Sequence, residues 1–195
     1  MFEKEIVKYK FLNQLAEADG TVIFGGDSDA SIPLGELKQA FALSGNIYNR
    51  SFSELSAADA SRVYSECVAE LYPDTVIVHI GAADVSDFSG NEAAFEKNYR
   101  ALIGTIREKN KGCRIVIVDL KNHGNDPTVA EINKLLGKIA DSEKCAFEDI
   151  SAKRSWNVKA SCETTSLLYD VGFDRPLNIK RPIYNLVRIL FCYEG

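Results

Sequence analysis

An α/β fold, a parallel sheet covered by helices on both faces, is predicted by three observations. Apolar runs of strand length alternate with segments of helical period along the whole chain. The runs at Val22-Ile23-Phe24, Val76-Ile77-Val78 and Ile115-Val116-Ile117-Val118 are continuously apolar, as strands buried on both faces are. The first of them ends in Gly25-Gly26-Asp27-Ser28-Asp29, a strand-to-helix turn at the edge where open α/β sheets bind ligands.

The elements follow from local pattern. Phe2, Ile6, Tyr9, Leu12 and Leu15 mark a first amphipathic helix stopping at Asp19-Gly20, and the strand from Thr21 follows at once. A helical pattern begins near Pro33, and a short second strand lies around Asn46 to Asn49. Ser56-Ala57-Ala58-Asp59 reads as a capping box for a helix carrying Val63, Tyr64, Cys67, Val68 and Leu71 up to Pro73. The third strand is Thr75 to Ile80. Phe95, Tyr99, Leu102, Ile103 and Ile106 give a helix closed by Gly112, and Arg114 to Val118 is the fourth strand. Asp126-Pro127 is an N-cap followed by a first helical residue, for a helix with Val129, Ile132, Leu135, Leu136 and Ile139. Cys145 to Ile150 is a fifth strand. The stretch from Ser151 to Arg181 is loop-rich, and Pro182 opens a last helix with Ile183, Leu186, Val187 and Leu190.

Composition limits the function classes. The 195 residues are expected to form one domain, 1–195, large enough for a full core. A net charge of −5 offers no basic surface for phosphate backbones, so a small molecule is the expected partner and nucleic acid is not. The charged start Met1-Phe2-Glu3-Lys4-Glu5 has no apolar signal core, and no apolar run approaches membrane-spanning length, so a cytoplasmic location is expected. Five cysteines without paired ligand spacing suit buried thiols in a reducing compartment rather than a zinc site.

Three strand-end motifs then stand in order: Gly26-Asp27-Ser28, Tyr48-Asn49-Arg50 with Ser53-Glu54, and Gly81-Ala82-Ala83-Asp84. In order and spacing they resemble the motif blocks of the SGNH, or GDSL, hydrolases, and the resemblance runs over nearly the whole chain. It implies a three-layer α/β/α sandwich with a five-stranded parallel sheet of flavodoxin-like order. It implies also a lipase/acylhydrolase type of esterase working through an acyl-enzyme, without a cofactor or a metal. Ser28 matches the family's nucleophile, with Asp27, Glu54, Gly81 and Ala83 around the substrate and oxyanion pocket.

The match is incomplete at three of the four catalytic positions. Glu54 stands where the family has the glycine whose N–H completes the oxyanion hole, and a carboxylate beside a developing oxyanion is repulsive unless it points away. Ala83 stands where the family has an asparagine donor, and losing one such donor typically costs roughly a hundredfold to a thousandfold in turnover. In Asp174-Arg175-Pro176-Leu177, Asp174 keeps the carboxylate of the last block while Leu177 occupies the histidine position. The only histidines are His79, read as a paired core residue within the third strand, and His123, in the loop after the fourth strand on the same sheet edge as Ser28. His123 is therefore the candidate replacement base, with Glu54 and Asp174 behind it.

Two other classes compete with a weakened esterase. Asp27, Asp29, Asp84 and Asp119 all lie at strand ends, an arrangement that would suit magnesium-dependent phosphoryl transfer if they converged. The missing base and donor fit instead a catalytically inactive hydrolase fold used for ligand binding or assembly. The acyl group, the alcohol, the oligomeric state and any lid formed by 151–181 are not legible in the sequence.

Overall fold

The computed structural model describes residues 2–150 except Ala42, Ser44 and His123, together with Leu186, Ile189 and Leu190. The strands are β1 (Thr21–Gly25), β2 (Ile47–Asn49), β3 (Thr75–His79), β4 (Arg114–Val118) and β5 (Ala146–Glu148). The helices are α1 (Glu3–Asn13), α2 (Asp27–Ala30), α3 (Leu34–Ala40), α4 (Ala57–Cys67), α5 (Glu92–Lys109) and α6 (Pro127–Glu143), with 3-10 turns at Ala69–Leu71 and Ala82–Asp87. All pairings are parallel and the order is β2-β1-β3-β4-β5. The sheet is the predicted one, with helices on both faces. Among the described residues no helix is long and apolar enough to cross a membrane.

Strand alternation separates the two layers. Val22, Phe24, Val76, Val78, Ile115 and Ile117 pack toward α1, α4, α5 and α6. Ile23, Ile77, Val116 and Val118 face the opposite layer, with Leu37 of α3, Phe41 just after it, and Leu186, Ile189 and Leu190. Each such side chain, fully removed from water, contributes about 1.5–3 kcal/mol, so both faces drive folding and neither is left for solvent. Leu186, Ile189 and Leu190 are helical, as predicted for the last segment; its start at Pro182 and the loop 151–181 lie outside the described residues.

Several boundaries depart from sequence pattern. α1 ends at Asn13, well before Gly20, and it buries Phe2, Ile6 and Tyr9 while Leu12 and Leu15 are exposed. The helix carries apolar residues around much of its circumference, including exposed Val7 and Phe11, so periodicity did not single out the inward stripe. The chain also turns helical at once after β1, in α2, rather than only near Pro33. By contrast β4 and the start of α6 are as predicted: Asp126 accepts from the Thr128 N–H at 2.8 Å, with Pro127 as first helical residue.

The segment after β2 is held to β1 by its own packing. Phe52 is fully buried and meets Phe2, Tyr9 and Phe24 edge-on, with ring centroids 5.8, 5.0 and 6.4 Å away. Such pairs add about 0.5–1.5 kcal/mol each beyond burial. Arg50, buried beside it, lies over the rings of Tyr9 and Tyr48 at 5.1 and 5.4 Å, and donates to Asn13 Oδ1 and the Asn49 carbonyl. Burial lowers its pKa, with Tyr9 foremost among the groups opposing that shift. The planar guanidinium suits this sandwich and a lysine does not. Arg50→Ala is therefore expected to destabilise the protein by about 2 kcal/mol, with Arg50→Lys recovering less than half. Urea denaturation midpoints at constant slope check this, and a lysine variant as stable as the natural protein would contradict it.

Candidate active site

The sheet order reverses between β1 and β3. The chain leaves β1 toward β2 on one side and returns as β3 on the other, which opens a crevice at the carboxyl ends of these two strands. Two turns border it, the one after β1 carrying Asp27-Ser28-Asp29 and the one after β3 carrying Gly81-Ala82-Ala83-Asp84.

In the first turn, Gly26 is extended and α2 begins at Asp27, so Ser28 is the second residue of a helical turn and does not cap a later helix. Asp27 and Ser28 are exposed and Asp29 is buried. Ser28 therefore lies on the exposed edge expected of it. The Asp29 carboxylate reaches back to accept the Gly26 N–H at 3.2 Å, while the Asp29 N–H donates to the Gly26 carbonyl at 3.0 Å. This reciprocal contact requires glycine at position 25, where a Cβ would fall 2.2 Å from Asp29 Oδ2. The Ser28 hydroxyl lies 3.5 Å from the same oxygen, at the limit of a hydrogen bond.

Beneath Asp29 lies His79. Its Nδ1 is 3.0 Å from Asp29 Oδ1 and 2.9 Å from Oδ2, and both residues are buried. His79 is a paired histidine of the third strand, as expected, and it is the last residue of β3, opposite Gly25. Burial works against charge on the ring, yet the Asp29 carboxylate, Asp119 and a hydrogen bond to the Asp119 backbone outweigh it, and the His79 pKa is raised. The Asp29 and Asp119 contacts thus favour the protonated ring. This network was not evident in sequence, because its members lie 50 residues apart and only the strand order brings them together.

Asp119, just past β4, accepts the Ile150 N–H at 2.7 Å. Burial pushes its pKa up to about 6; the Ile150 N–H and His79 pull the other way and Asp149 adds to the rise. Asp84 is committed elsewhere, accepting the Ala57 N–H at 3.0 and 3.2 Å at the start of α4. Burial raises its pKa as well, against the Ala57 N–H. The strand-end aspartates thus serve separate partners, and among the described residues no three His, Cys, Asp or Glu side chains converge on a point that would hold a metal.

The second motif wraps the serine turn from the β2 side. Asn49 Nδ2 donates to the Asp29 carbonyl at 2.7 Å, the Gly25 N–H donates to Ser51 Oγ at 3.0 Å, and the Phe52 N–H donates to the Gly25 carbonyl at 3.0 Å. Glu54 is exposed with φ +56°, so it keeps the left-handed backbone that a glycine adopts most easily. Gly81 is buried with φ +132°, and a Cβ there would press on Leu120 at 3.3 Å; Ala82 and Ala83 beside it are exposed. His123, Asp174 and Leu177 lie outside the described residues.

An open parallel sheet with a serine turn at its switch point defines an α/β protein built like a hydrolase. The chain matches the GDSL-like lipase/acylhydrolase family over residues 28–174, and it belongs to that family. No curated protein matches the sequence. Among solved structures it is similar to a GDSL-like lipase from Bacteroides thetaiotaomicron, with 13% identity, 96% of this chain and 95% of that one covered, and a TM-score of 0.68. A carbohydrate esterase of family 3 from Talaromyces cellulolyticus superposes with a TM-score of 0.60 at 18% identity, covering 89% of this chain and 99% of the other. An acetyl xylan esterase matches with a TM-score of 0.60 at 17% identity, over 89% and 98%. At these identities the likeness is one of fold.

The raised Asp119 pKa has a consequence for stability. Between its unfolded value near 4 and its folded value of about 6, the folded state binds the extra proton, so its contribution is largest below that window and is lost as pH rises through it. Asp119→Asn keeps an acceptor for Ile150 and removes the titration. The variant should lose less stability than the natural protein between pH 4 and pH 7 in denaturant melts, and equal slopes would contradict the assignment.

Proposed function

We propose that this protein hydrolyses esters of a small molecule through an acyl-enzyme on Ser28, at a rate reduced by its altered machinery. The observation that carries this is the Ser28 hydroxyl, exposed at the switch point on a turn anchored at Gly26 and Asp29. Ser28 Oγ would attack the ester carbonyl and pass its proton to a base, which returns it to the departing alcohol oxygen; water would then cleave the acyl–Ser28 bond, releasing the acid and restoring the hydroxyl. The Ser28 N–H, in the first turn of α2, has no acceptor within its helix and is available to the developing oxyanion. Glu54 retains the left-handed backbone, so its N–H remains a candidate second donor while its exposed carboxylate can turn to solvent. Ala83 has no donor to offer.

His123 is our candidate base, with Asp174 or Glu54 as its alternatives. The acetyl xylan esterase among the structural neighbours makes acetylated carbohydrates the first natural esters to test. A hydrolase fold that binds without turnover is the second reading, and Ala83 together with Leu177 favours it.

The purified protein should hydrolyse p-nitrophenyl acetate slowly, and Ser28→Ala should abolish the signal. Glu54→Gly, Ala83→Asn and Leu177→His combined should raise turnover by more than the product of the single effects, because such groups act as a unit. Rapid turnover by the natural protein with a slower triple variant would reject the weakened-enzyme reading. No Ser28-dependent turnover would favour the binding protein.

A further inference from the structure

We propose that His79 is a positioning residue for the Ser28 hydroxyl, holding the Asp29 carboxylate from the core side so that the hydroxyl stays free to face the crevice. This rests on the reading of Ser28 as nucleophile. It is carried by one carboxylate with three neighbours: Asp29 Oδ2 is 2.9 Å from His79 Nδ1, 3.2 Å from the Gly26 nitrogen and 3.5 Å from Ser28 Oγ.

A buried carboxylate takes the strongest donors within reach. Ionised acceptors draw hydroxyls to about 2.5–2.7 Å and the resulting bonds are roughly twice as strong as neutral ones. With the His79 Nδ1 within 3.0 Å of both of its oxygens and the Gly26 amide on one, Asp29 is satisfied without the serine, and Ser28 Oγ remains at 3.5 Å. Without the ring's charge the Nδ1–H bond to Asp29 weakens, and the Ser28 hydroxyl is the nearest competing side-chain donor. The hydroxyl would then turn inward, or the carboxylate would move and release the Gly26 contact that shapes the turn. Either change misdirects the nucleophile, and small misplacements of a reacting group can cost about a hundredfold.

The ring is too buried to touch substrate, so it acts through Asp29 and is not itself catalytic. The charged groups facing it are Asp29 from α2 and Asp119 beyond β4, with Asp149 beside Asp119; the β1 residue opposite it is Gly25, which brings no charge. Asp29 and Asp119 raise the ring's affinity for a proton, so the charged contact is held on the acid side of the elevated His79 value and weakens as pH rises through it.

The test compares natural protein with His79→Asn, which keeps an N–H donor toward Asp29 but no charge, and with His79→Gln in case the first variant folds poorly. Expected are a tenfold or larger fall in kcat with KM changed less than twofold, and a parallel fall in the rate at which a fluorophosphonate labels Ser28. In the natural protein kcat should decline on the alkaline side with the ionisation that histidine NMR assigns to His79, identified by recording His123→Gln in parallel; the His79 variants should lack that decline. A folded His79 variant with unchanged kcat, labelling rate and pH profile would overturn the proposal and leave His79 merely structural. Failure of the underlying reading is seen separately, as absence of Ser28-dependent turnover and labelling in the natural protein, and would overturn both.

Discussion

The contact between Asp29 and His79 joins the serine turn to the sheet, and the rest of the site is built outward from it. It lies at the β1–β3 switch point, just beyond the Gly25–His79 pair where the ladder between the two strands ends. A turn of four residues cannot hold its own shape through helical hydrogen bonds, since nearly all its amides are terminal. Asp29 replaces that missing support, accepting from Gly26 above and His79 below, and Gly25 gives it room. Burying both partners is costly, and the pair repays this only because its geometry is close and its remaining groups are bonded.

Around this anchor the neighbouring motifs fasten one another. Asn49 holds the Asp29 carbonyl, Ser51 accepts the Gly25 N–H, and Phe52 and Arg50 fix that segment against α1. On the other side Asp84 ties the turn after β3 to the start of α4. The strand-end motifs of this GDSL-like family member thus hold one another in place, and Glu54 and Ala83 are both exposed on the turns they shape.

Much of the fold was legible because strand runs and caps are local signals. β4 and the Asp126-Pro127 start of α6 follow directly from adjacent residues. The extent of α1 was not legible, since Leu12 and Leu15 fit a helical stripe and yet are both exposed, Leu15 beyond the helix end. The exposed position of Ser28 was readable from the glycine pair and the turn chemistry. The role of Asp29 was not, because a carboxylate next to a serine looks like a helix cap until strand pairing brings His79 beneath it. The left-handed backbone at Glu54 was equally hidden, as glutamate gives no local signal for positive φ.

The most direct test of this account is a double-mutant cycle on the pair, using Asp29→Asn, His79→Asn and the combination, with stability read from urea denaturation near pH 6. A central, buried, charge-assisted contact should give a coupling energy of about 2 kcal/mol or more, since either single change leaves a buried partner unmatched. A coupling below about 0.5 kcal/mol, the level expected of independent sites, would contradict the claim that this contact holds the serine turn in place.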